Sequence, residues 1–77
     1  MRIVNLIRNR YGKVCAIVYP EGNRFVAFMK NSKMPMSTEL TAMKWIGVKC
    51  TGERLEEKDL KDIPDEIREA VLKKTSF

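Results

Sequence analysis

The first thirty residues carry three strand-like segments that are apolar on both faces, and this property limits the architectures open to a chain of 77 residues. Side chains alternate across a strand, so residues two apart share a face. Ile3 and Ile7 fall on one side of the first segment, Val4 and Leu6 on the other. In the second, Val14, Ala16 and Val18 oppose Cys15, Ile17 and Tyr19. In the third, Phe25 and Met29 oppose Val26 and Phe28. A sheet wet on one side would alternate apolar with polar. The pattern predicts a sheet covered on both sides. One cover is a helix of this chain; the other is more of the chain or a second subunit.

Turn chemistry joins the segments into an antiparallel meander. Arg10-Tyr11-Gly12-Lys13 is the first turn, with Gly12 free to adopt positive φ. Lys13 to Tyr19 is the second strand, Pro20-Glu21-Gly22-Asn23 the second turn and Arg24 to Lys30 the third strand. Residues 31–36 read as a linker, in which Pro35 biases Met34 towards an extended shape.

The segment 37–47 carries two patterns. A helix would be capped by Ser37 or Thr38, place Leu40, Met43 and Ile46 on one stripe, and stop at Gly47. A strand would alternate Leu40, Ala42, Lys44, Ile46 and Val48. The cap and the glycine favour the helix, which leaves Val48-Lys49-Cys50-Thr51 as a fourth strand. A looser helical turn is expected over residues 53–60. Residues 63–74 form an amphipathic helix, with Pro64 at its start, Asp65 and Glu66 at its positive end and Lys73 and Lys74 at its negative end. Leu60, Ile63, Ile67, Ala70 and Val71 make its apolar stripe. The expected fold is a single α+β domain over residues 1–77: a small antiparallel sheet, three meander strands plus a fourth, covered by the C-terminal helix.

Ile63-Pro64-Asp65-Glu66-Ile67-Arg68-Glu69-Ala70-Val71 resembles the I-P-x-E-I-R-E-A-L stretch of AbrB-type swapped-hairpin DNA-binding proteins. The likeness covers nine residues. In that family the stretch precedes further strands, an order this chain does not share, so no residue roles follow from it.

Charge is uneven. Residues 1–49 hold nine Lys and Arg against Glu21 and Glu39, a net +7; residues 50–77 hold six against eight acids, a net −2. Arg8, Arg10, Tyr11 and Lys13 cluster at the first turn, and Arg24, Lys30 and Lys33 flank the third strand. Guanidinium groups contact phosphates bidentately, and an exposed tyrosine can stack on a base. These seven residues are the candidate nucleic-acid-binding surface, for DNA or RNA. No fixed-spacing recognition motif accompanies them: an RRM-type aromatic signature, a GxxG loop and zinc-ligand spacing are all missing.

The chain has no histidine, which removes the commonest general base and metal ligand. No enzyme activity, metal or cofactor is expected. Cys15 and Cys50 are expected to be small buried hydrophobes, with a redox role as the alternative. Trp45 and the methionines Met29, Met34, Met36 and Met43 are expected to pack in a core or subunit interface. The acidic residues between Glu53 and Glu66 are expected to form a solvated face or to pair with a neighbouring subunit.

The longest apolar run, Val14 to Tyr19, is far short of the roughly 20 residues that span a membrane. No signal-peptide h-region is visible at the N-terminus, because Asn5 and Arg8 interrupt it. The expected location is cytoplasmic. Two other functions compete with nucleic-acid binding: a homo-oligomeric assembly module that uses the doubly apolar sheet, and a toxin-type ribonuclease that uses Arg8, Arg10, Tyr11 and Arg24.

Overall fold

The computed structural model of the chain describes residues 4–77. Strands β1 (Asn5–Arg8), β2 (Val14–Glu21), β3 (Arg24–Met29) and β4 (Ser32–Met36) form one antiparallel sheet in chain order. Helix α1 (Glu39–Lys49), a 3-10 helix (Glu57–Asp62) and helix α2 (Asp65–Lys74) follow. The α+β architecture and the C-terminal helical cover are as expected. Ile3, assigned to the first strand from sequence, lies outside the described residues.

The fourth strand is not where the sequence placed it. Residues 31–36, expected to be a linker, contain β4, with Phe25 opposite Met36 and Met29 opposite Ser32. Its turn is Lys30-Asn31, and Asn31 takes the left-handed conformation at φ 60°. Lys33 and Pro35 made the segment read as loop. They are also what blunts an exposed sheet edge, and a residue without an N–H is tolerated there. Val48 to Thr51 are not a strand: α1 runs through Gly47 to Lys49, and the Cys50 N–H closes it on the Ile46 carbonyl at 2.8 Å. A mid-helix glycine costs about 1 kcal/mol relative to alanine. Burial of Ala42 and Ile46 against the sheet outweighs that cost. Thr38 caps α1 as expected, its hydroxyl accepting from the Thr41 N–H at 3.1 Å.

The sheet is a shared wall between two cores. On one face Val4, Val14, Ile17, Tyr19, Val26 and Phe28 pack with Leu55, Leu60, Ile63, Ile67 and Val71 from the C-terminal segment. On the other, Ala16, Val18, Ala27 and Met29 pack beneath Ala42 and Ile46 of α1, with Trp45, Met36 and Cys50 half-buried around them. The small side chains at 16, 27 and 42 let the helix sit close to the sheet. The second apolar face is therefore covered by more of the chain, without need of a second subunit. The stripe expected on α1 is only partly buried: Leu40 (64% exposed) and Met43 face outward with Val48. Among the described residues no helix is long and apolar enough to cross a membrane.

A register shift between Ile7 and Arg8, opposite Ala16 and Val14, resets the alternation along β2. It explains why Val14 and Ile17, three residues apart, share one core. At the same end of the sheet, Lys30 Nζ bridges Glu56 at 3.1 Å and Asp59 at 2.8 Å. Asp59 also accepts the Glu56 N–H at 2.8 Å, which starts the 3-10 helix. Burial pushes the Asp59 carboxyl up, but the Lys30 and Glu56 hydrogen bonds outweigh it and hold it below its ordinary value. Part of the acidic stretch thus pairs with the basic half of its own chain.

The Tyr19 hydroxyl is buried with no hydrogen-bond partner among the described residues. Burial, then the charge of Glu21, pushes its pKa from 10.0 up to about 12. Burial, then hydrogen bonding to and charge on Cys50, pushes Cys15 from 9.0 up to about 11. Both groups keep their protons in the folded state where the unfolded chain loses them. Their contribution is complete below pH 9 and is lost as pH climbs through 9–12. Tyr19→Phe removes the orphaned hydroxyl. Urea denaturation should show about 1 kcal/mol more stability at pH 7 and a shallower decline above pH 10. A clear loss of stability in Tyr19→Phe would refute this account.

Candidate functional site

The meander sends the predicted basic residues to different places. The β1–β2 and β3–β4 turns share one end of the sheet, and the β2–β3 turn lies at the other. Arg24 pairs with Glu21 at that far end, whereas Arg8 pairs with Val14. The separation along β2 is roughly 23 Å. Arg24 therefore does not join Arg8, Arg10 and Tyr11, and the four do not form one constellation. Lys30 shares the right end but is held by Glu56 and Asp59, and hydrogen bonding to those carboxylates holds its ammonium pKa above the ordinary value. Lys33 Nζ donates to the Asp62 carbonyl at 3.2 Å. These two lysines fasten the C-terminal segment to the sheet.

Arg8, Arg10, Tyr11 and Lys13 remain together, on a turn organised by Asn9. Its side-chain oxygen accepts the Tyr11 N–H at 2.8 Å and the Lys13 N–H at 3.0 Å. Its amide donates to the Gly52 carbonyl at 2.8 Å, tying the turn to the loop after α1. Gly12, at φ 81°, closes the turn on the Asn9 carbonyl at 2.9 Å. Arg8 Nη1 donates to the Gly12 carbonyl at 2.9 Å. Tyr11 is 72% exposed, and the Arg10 guanidinium lies 5.1 Å from its ring centroid.

Arg54, which the sequence reading did not single out, belongs to the same surface. The Leu55 N–H donates to the Val14 carbonyl at 2.8 Å, so residues 54 and 55 run beside the start of β2. Arg54 then borders a cleft of about 240 Å3 with Arg8 and Lys13, over Val14, Leu55 and Phe77. The sequence hint was Leu55, one apolar residue in a charged stretch, which had to dock somewhere. Arg10 and Tyr11 border a second cleft, of about 380 Å3, with Asn9, Cys50, Thr51 and Gly52.

Cys15 is buried and Cys50 half-buried; neither is in a disulfide. They lie together, with Cys50 Sγ 4.0 Å from the Cys15 carbonyl and accepting the Gly52 N–H at 3.4 Å. Cys15 Sγ donates to the Ile7 carbonyl at 3.4 Å. The described residues hold no group of three His, Cys, Asp or Glu side chains placed to bind a metal ion. No known protein family, curated protein or solved structure matches the chain.

Proposed function

We propose that the chain binds single-stranded nucleic acid through the β1–β2 turn and the loop beside it. One observation carries this reading. An exposed tyrosine under an arginine stands on an internally hydrogen-bonded turn with Arg8, Lys13 and Arg54 around it. The cations neutralise phosphates, and the ring offers a stacking platform that splayed bases can reach and paired bases cannot. Fluorescence anisotropy with a short oligonucleotide tests it. With four cations on phosphates, log affinity should fall with log salt at a slope near −3, or roughly 50-fold between 50 and 200 mM. Failure to bind DNA or RNA at about 50 mM salt would refute the proposal.

A homo-oligomeric assembly module is the second reading. It rests on the outward stripe of Leu40, Met43 and Val48 on α1. A monomer by light scattering at micromolar concentration would remove it.

A further inference from the structure

The cleft between Arg8, Lys13 and Arg54 has a chemistry of its own. Its three cations arrive from separate parts of the chain: the end of β1, the residue before β2 and the loop before the 3-10 helix. None of the three is in an ion pair among the described residues. Glu56 feels Arg54 but is itself held by Lys30 at 3.1 Å, and Phe77 borders the cleft as well. Thr75 and Ser76 border the same cleft. Val14 and Leu55, which also border it, are buried in the first core.

Resting on the nucleic-acid reading, we infer that this cleft takes the terminal phosphate of a strand. A phosphate within a strand carries one charge and an ester on each side, so it has to lie across a site. A terminal phosphate monoester carries nearly two charges and three oxygens, and it enters end-on. Three cations bordering one cleft, with buried Val14 and Leu55 in its lining, suit the second geometry, with bidentate contact from the two guanidinium groups. Tyr11, in the neighbouring cleft, is two residues from Lys13 on the same turn, within reach of a strand anchored by its end.

The test compares one ten-nucleotide sequence carrying a 5′-phosphate, a 3′-phosphate or hydroxyls at both ends, each titrated with the full chain. One phosphorylated end, and not the other, should bind at least about 10-fold tighter than the hydroxyl oligonucleotide. Arg54→Ala should bring that ratio close to one. Tyr11→Ala should weaken all three oligonucleotides by a common factor and preserve the ratio. Inorganic phosphate at millimolar concentration should suppress the preference. Equal affinity for all three, or equal gains from both phosphorylated ends as generic charge would give, overturns the inference and leaves nucleic-acid binding standing. If no oligonucleotide binds, both fall.

Discussion

Leu60→Ala should lower the unfolding free energy by about 3 kcal/mol. Leu60 is fully buried on the 3-10 helix, in the core that joins the C-terminal segment to the sheet. Truncation removes the transfer free energy of the lost carbons and leaves a cavity. Neighbours such as Ile17, Val26 and Val71 are themselves fully buried and have little room to close it. A domain of this size has only about 4–12 kcal/mol in total, so one substitution consumes a large share. Urea denaturation followed by circular dichroism reads the effect directly. Leu40→Ala is the control: its side chain is exposed, and the cost should stay within about 0.5 kcal/mol. If Leu60→Ala cost no more than Leu40→Ala, the assignment of the C-terminal segment as the cover of this face would be wrong.

The double substitution Arg10→Glu and Lys13→Glu should weaken oligonucleotide binding by more than about 100-fold at moderate salt. In the proposed mode each reversal removes a phosphate contact and adds a repulsive charge, and Arg10 also leaves the Tyr11 ring. Both side chains are exposed, so the thermal midpoint should barely move. Arg8 is left alone in this test because it closes the turn on Gly12. Arg24→Glu gives the opposite control. It makes the same kind of charge change at the far end of the sheet, and affinity should drop by no more than about threefold. If Arg24→Glu weakened binding as much as the double variant, net charge and not the turn would govern the interaction.

The sheet was legible because its signals are local. Val- and Ile-rich runs, the Gly12 and Gly22 turns and the apolar stripe of α2 each declare themselves within a dozen residues. Local signals mislead where a neighbour decides the outcome. Ser32–Met36 has little strand propensity of its own and pairs because β3 offers it an open edge. Gly47 does not stop α1, because Ala42 and Ile46 have a sheet face to cover. Leu40 and Met43 looked like a buried stripe, yet the packed face of α1 is set by the small residues at 16 and 27. The candidate site divided in the same way. Arg8, Arg10, Tyr11 and Lys13 were readable as a cluster because they are contiguous. That Lys30 is occupied, that Arg24 points elsewhere and that Arg54 joins the cluster all depend on contacts between distant parts of the chain.

Asn9 satisfies two turn amides and a carbonyl 43 residues away with one side chain. The backbone beneath the basic cluster is thereby immobilised before any partner arrives. A floppy loop would have to be frozen during association, at about 0.5–1.5 kcal/mol for each flexible side chain and more for the main chain. Here folding has already met the main-chain part of that cost. On the proposed reading, recognition at this turn is rigid-body docking, in which long cationic side chains adjust over a fixed frame. Affinity is then set by how well a ligand matches a shape that exists without it.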